Sequence, residues 1–91
     1  GGIIGFTRAL AHEVGPDGIS VNAIAPGAFP TDAEKIHPDP EGYNQWALDQ
    51  QCIKRRGTPR DIGSLIVFLS SDASEFITGQ TIAIDGGWAM H

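Results

Sequence analysis

Apolar residues over the first fourteen positions recur with a helical period. Ile3, Phe6, Leu10 and Val14 stand three, four and four apart and draw one stripe. Gly15, Pro16 and Asp17-Gly18 end that helix with ordinary C-terminal and turn chemistry. Gly1, Gly2, Gly5, Ala9 and Ala11 are small, so the predicted helix can lie unusually close to a neighbour. The period then changes. Ile19 to Ala25 alternates, with Ile19, Val21, Ala23 and Ala25 on one face and Ser20, Asn22 and Ile24 on the other. Small apolar residues on both faces predict a strand covered on both sides, as in a parallel sheet. Pro26-Gly27 stops it.

The clearest helix signal comes later. Thr58 is an N-cap residue, Pro59 takes the first helical position, and Asp61 follows three residues after the cap. Ile62, Leu65, Ile66 and Leu69 then repeat at i, i+3, i+4 and i+7. Ser70-Ser71-Asp72 closes the helix, and Asp72 to Phe76 predicts one further helical turn. Gln80 to Asp85 reads as a second strand, with Ile82 and Ile84 on one side and Ala83 on the other, ended by Gly86-Gly87.

Residues 28–57 separate these patterns. Pro30, Pro38, Pro40 and scattered Asp and Glu mark irregular chain, and Glu41 to Gln51 predicts a short helix without a strong stripe. A connector of this length with Tyr43 and Trp46 in it reads as a functional lid. Strand, helix and strand in one sheet make a parallel, right-handed unit. Two strands alone leave two bare edges, with too few helices to cover both faces. The expectation is an α/β chain forming one flank of a larger doubly wound parallel sheet.

Composition narrows the partners. The 91 residues carry 6 Lys plus Arg against 11 Asp plus Glu, for a formal charge of −5. That balance argues against a nucleic-acid or anionic-membrane surface. The longest apolar run, Leu65 to Leu69, is far short of the ~20 residues of a membrane span. The Gly-Gly-Ile-Ile start has neither Met nor a signal-like segment, which predicts processing or truncation. Cys52 is the one cysteine. It excludes an internal disulfide framework, fits a reducing cytoplasm, and reads as a partly buried small hydrophobe.

Ligands in open parallel sheets bind beyond the carboxyl ends of the strands. Both strands here end in glycine, at Pro26-Gly27 and Gly86-Gly87, which serves either close approach to a ligand or plain turn chemistry. Thr31 could hold a polar ligand group or act as a local cap. Asp32, Glu34, Asp39 and Glu41 have no spacing that fixes an acid/base pair or a metal, and read as a solvated face. His12 reads as a solvated or interface residue, and His37 and His91 are isolated. Lys54-Arg55-Arg56 with Arg60 is the only basic cluster. It precedes a helix N-terminus, where the dipole disfavours it. It reads as a surface patch, with an acidic neighbour or an anionic substrate tail as the alternative.

At this point a resemblance is visible. Residues 1–13, Gly-Ile-Ser-Val-Asn-Ala-Ile-Ala-Pro-Gly (18–27) and the Pro-Gly-x-x-x-Thr spacing from Pro26 to Thr31 come in order. Arg-Arg-Gly-Thr-Pro-Arg-Asp-Ile (55–62), Phe-Leu-Ser-Ser-Asp-Ala-Ser (68–74), Ile-Thr-Gly-Gln-Thr (77–81) and Asp-Gly-Gly (85–87) follow. Together they resemble the C-terminal portion of a short-chain dehydrogenase/reductase, with residues 32–54 matching least.

The resemblance implies the C-terminal flank of a Rossmann fold, incomplete without its N-terminal half. It implies hydride transfer between NAD or NADP and a secondary alcohol or ketone. The family's catalytic Ser, Tyr and Lys would lie upstream, so no catalytic residue falls in this chain and the piece alone is expected to be inactive. Pro26 and Gly27 would stand beside the nicotinamide, the backbone of Ala28 and Phe29 would meet its carboxamide, and the Thr31 hydroxyl would bond it. Ala28 to about Cys52 matches the substrate loop, with Phe29, Tyr43 and Trp46 as wall residues. The first helix and last strand are similar to the family's subunit contacts, implying a homotetramer or dimer. Degradative secondary-alcohol dehydrogenases and acyl-carrier-protein ketoreductases both fit. A non-catalytic dehydrogenase-like scaffold or oligomerisation module is the rival reading.

Overall fold

In the computed structural model, which describes residues 1–88, the first helix forms as α1, Gly2–Val14. His91 lies outside the described residues. A 3-10 turn at Gly15–Asp17 follows, and Gly18 closes it in the left-handed region at φ +76°, where glycine carries no Cβ penalty. Strand β1 covers Ala23–Pro26, shorter than the expected 19–25. Another 3-10 turn at Asp32–Ile36 leads to helix α2, Pro40–Gln50, and then to α3, Pro59–Leu69. A last 3-10 turn at Asp72–Ser74 precedes strand β2, Thr81–Ile84.

The two strands pair in one two-stranded sheet. Ala23 N–H donates to the Gln80 carbonyl at 2.8 Å and Gly27 N–H to the Ile84 carbonyl at 2.9 Å. Moving four residues along one strand moves four along the other in the same sense, so the pairing is parallel.

The chain divides into two units, residues 1–25 with 63–82 and residues 26–62 with 83–91. In the first, side chains extend the pairing upstream of β1. Gly79 N–H donates to the Val21 carbonyl at 2.7 Å, and Val21 N–H donates to the Thr78 hydroxyl at 3.0 Å. Asn22 donates from its amide to the Ile77 carbonyl and accepts from Gln80 N–H, at 3.2 and 3.1 Å. A short polar side chain thus replaces ladder bonds where the expected strand breaks off.

Helix α1 buries Thr7 and Ala11 rather than its largest apolar residues. Ile3 and Phe6, half of the expected stripe, are 73% and 68% exposed, and Phe76 is 101% exposed. Ala11 is seated by the Gly79 turn, whose missing Cβ would stand 3.5 Å from it. In the second unit the buried apolar residue is Ala47, on α2. No large side chain is fully buried among the described residues.

Helix α2 starts one residue earlier than the pattern suggested. Asp39 caps it by accepting from Gly42 N–H at 3.0 Å, with Pro40 at the first helical position. Helix α3 starts as expected, with Asp61 reaching back to accept from Thr58 N–H at 2.7 Å.

Two alanines at the bottom of two small cores cannot support a cooperative transition against chain entropy. The isolated 91-residue peptide is expected to melt broadly in calorimetry. Equal calorimetric and van't Hoff enthalpies for it would contradict this.

Candidate functional site

The second unit holds the carboxyl ends of both strands, and the chain approaches itself very closely there. A Cβ on Gly27 would stand 2.6 Å from Asp85 Cβ and 2.8 Å from Asp85 Cα. Glycine is required at 27 because backbone, which cannot step aside, occupies the space. Gly86 and Gly87 adopt φ of +65° and +84°. The Gly86 carbonyl accepts from Cys52 and Ile53 N–H at 2.8 and 2.9 Å. A Cβ on Gly87 would meet Cys52 Cβ at 2.8 Å. The glycines that end both strands thus serve chain-to-chain approach.

Past Gly27 the chain turns tightly, with Phe29 N–H donating to the Gly27 carbonyl at 3.0 Å. The Phe29 ring lies against Gly57, where an added Cβ would come within 2.7 Å of ring Cζ. Phe29 also borders a cavity of about 110 Å³ with Gln51, Ile53 and Ile84.

Along this turn lies a cleft of about 390 Å³. Gly27, Ala28, Phe29 and Thr31 form one side, and Ala33, Glu34, His37 and Tyr43 complete it. Thr31 precedes the Asp32–Ile36 turn, yet its side chain makes no capping bond, so the hydroxyl is not spent locally. That removes the cap reading of this residue. His37 Nδ1 accepts from Asp39 N–H at 2.9 Å, and its ring lies 5.3 Å from that of Tyr43. The aromatic series continues to Trp46 at 5.9 Å and then to Trp88, edge-on at 5.1 Å. Pro26 and Trp46 do not line the cleft. Of the seven residues singled out in sequence, five share it.

Three of the four residues of the basic cluster have separate partners within the unit. Lys54 Nζ donates to the Leu48 carbonyl at 2.9 Å. Arg55 forks onto Asp61 at 2.9 and 2.8 Å. That guanidinium and the Thr58 N–H hold the Asp61 carboxyl well below the usual carboxylate range, and Asp61 in turn raises the Arg55 pKa. Arg56 pairs with Glu34 at 2.7 Å. The surface-patch reading therefore fails for Arg56, whose side chain is 9% exposed, and holds for Arg55, which pairs with Asp61 at the surface with its side chain 59% exposed. Cys52 is exposed rather than partly buried, its thiol donating to the Gly87 carbonyl at 3.4 Å.

Glu34, His37 and Arg56 are site residues that sequence reading did not pick out. The Asp39-Pro40 cap was the available signal for where α2 begins, and so for His37 and Tyr43 coming together. For Arg56 no local signal exists, since Ala28 and Glu34 lie 28 and 22 residues away.

Overpacking backbone against backbone costs roughly 1–3 kcal/mol. Gly27→Ala is expected to lower stability by that amount, and Gly57→Ala by less, because a ring can shift where a Cα cannot. The loss of amide-exchange protection around residues 27 and 57 in the two variants checks the order. A second expectation concerns acid. The folded chain binds the Asp61 proton less readily than an unfolded one, whose carboxyl titrates near ~3.9. The stability from Arg55–Asp61 is therefore complete above about pH 5 and lost as pH falls toward the folded value. The difference in amide-exchange protection of residues 58–62 between wild type and Asp61→Asn should be present at neutral pH and shrink below about pH 4.

A family model described as enoyl-(acyl carrier protein) reductase matches residues 1–89. The chain is 41% identical over 92 residues to the short-chain reductase protein NovJ of Streptomyces niveus, covering 96% of this chain and 35% of that one. It is 47% identical over 88 residues to a 3-oxoacyl-(acyl-carrier-protein) reductase of Chlamydia trachomatis, covering 97% and 35%. It thus spans about a third of the length of these curated relatives. The solved structure of a 4-hydroxyisoleucine dehydrogenase complexed with NADH matches at TM-score 0.85 and 35% identity, over 97% of this chain and 36% of that one.

Proposed function

Because this chain belongs to the short-chain dehydrogenase/reductase family, we propose that it is the C-terminal third of an NAD(P)-dependent oxidoreductase. The intact protein moves a hydride between a nicotinamide and a secondary alcohol or ketone. The observation that carries this reading is the cleft along the turn that leaves β1, with the Thr31 hydroxyl at its edge and uncommitted to a cap.

The residues present fit a nicotinamide. Pro26 and Gly27 set the turn, and Thr31 offers a hydroxyl to the carboxamide. The Ala28 carbonyl and Phe29 N–H are already engaged, so the Ala28 N–H and Phe29 carbonyl are the backbone groups left to meet it. When bound, the nicotinamide supplies the hydride. This chain's own residues orient the ring and exclude water from it, with Phe29 and Tyr43 as substrate walls and Trp46 backing Tyr43. The chain has no Tyr-x-x-x-Lys pair, so the acid/base group belongs to an N-terminal half.

The exposed Ile3, Phe6 and Phe76 are the apolar surface which that half and neighbouring subunits of a homotetramer or dimer would cover. The protein works in the cytoplasm. Its substrate is a small alcohol or ketone, or a 3-oxoacyl group on an acyl carrier protein of the kind that one relative's name specifies.

Purified intact protein is expected to oxidise NADH or NADPH with a panel of ketones and 3-oxoacyl thioesters. Loss of one neutral hydrogen bond is worth ~1 kcal/mol, so Thr31→Val should raise the coenzyme KM roughly fivefold. A protein that binds neither dinucleotide and turns over no alcohol or ketone would instead be the non-catalytic scaffold.

A further inference from the structure

One guanidinium gathers the separate segments of the second unit. Arg56 has five N–H donors, and each has a partner. Nε and one Nη donate to the Ala28 carbonyl at 3.0 and 2.8 Å. That same Nη also donates to one Glu34 carboxylate oxygen at 2.7 Å, and the other Nη donates to the second Glu34 oxygen at 3.2 Å and to the Asn44 side-chain oxygen at 3.1 Å. Its plane lies 5.5 Å from the Tyr43 ring centroid. The side chain is only 9% exposed and that of Glu34 19%. With every donor taken, Arg56 has nothing left for an anionic substrate.

What it grips matters more than how tightly. The Ala28–Phe29 peptide has two polar ends. Arg56 holds its carbonyl, and Gly27 holds its N–H. Fixing both ends fixes the plane of that peptide, so the neighbouring units that carry the Ala28 N–H and the Phe29 carbonyl can turn only about the φ and ψ bonds beside it. Glu34 sits three residues beyond Thr31 and donates its own N–H to the Thr31 carbonyl at 3.1 Å. Arg56 therefore brackets Thr31 from both sides and reaches α2 through Asn44 and Tyr43. A lysine, with three donors on one atom, cannot span these acceptors.

We infer that Arg56, with Glu34 as its counter-ion, is a positioning residue. It holds the Ala28–Thr31 turn in the geometry that receives the nicotinamide and ties that turn to the Tyr43 wall of the substrate loop. The inference rests on the nicotinamide reading above. Without the latch, the turn samples other arrangements, and coenzyme affinity falls by the fraction of time the competent one is populated.

The test uses the intact protein and two titrations, one with the reduced dinucleotide it prefers and one with the matching ADP-ribose, which lacks the nicotinamide. For Arg56→Lys, a competent population of about a tenth raises the reduced-dinucleotide Kd about tenfold. The ADP-ribose Kd should stay within about twofold, because that half of the coenzyme does not meet the turn. In ligand-free protein, amide hydrogen exchange of residues 28–36 should quicken in the same variant. Glu34→Gln keeps the shape and removes the counter-charge; it should shift the same Kd ratio in the same direction, and it serves if Arg56→Lys does not fold. An unchanged ratio of the two Kd values, in a wild type that binds both ligands, overturns the positioning role alone. Parallel weakening of both ligands does so too, since it marks general damage. A wild type that binds neither ligand overturns the nicotinamide reading, and this inference with it.

Discussion

The contact between Gly27 and Asp85 sets the terms for everything at the carboxyl ends of the strands. Backbone meets backbone there at a separation that leaves no room for a side chain on residue 27. Once that approach is fixed, the chain leaving β1 must turn at once, and Phe29 N–H folds back onto the Gly27 carbonyl. The ring of Phe29 then needs a flat, empty place to lie, which Gly57 provides. Past the other strand Gly86 and Gly87, in left-handed conformations, let residues 52 and 53 hook onto the Gly86 carbonyl. The cleft is what remains between a turn forced tight and an excursion tied down around it.

Polar bonds hold this region more than apolar burial does. Gln51, buried, donates to the Ile53 and Arg55 carbonyls at 3.0 and 2.9 Å. Asp61 serves both Arg55 and the Thr58 amide that opens α3. The large apolar side chains face outward instead, on α1, on α3 and at Phe76. Such a distribution leaves large apolar surface in contact with water, which costs free energy.

Much of this was legible beforehand, and the failures have physical causes. Thr58-Pro59 and the i, i+3, i+4, i+7 series located α3, because capping chemistry and period agree there. The first strand came out short because Asn22 bonds the Thr78–Gln80 turn through its side chain, which period-2 counting cannot register. The stripe Ile3–Phe6 on α1 correctly marked an apolar face, but the buried residues are Thr7 and Ala11, where the small Gly79 turn comes close. Thr31 and the glycines were visible as a motif. Arg56 was not, because a run of three basic residues looks the same whether its charges meet water or carbonyl oxygens.

The Ala28 carbonyl carries one more consequence. Arg56 recognises residue 28 by its main chain, as Gly86 recognises residues 52 and 53. A grip of that kind is blind to side-chain identity. The side chain of residue 28 can therefore change while the path of the chain past the cleft stays the same, whereas Glu34 and Asn44 hold Arg56 through their own side chains.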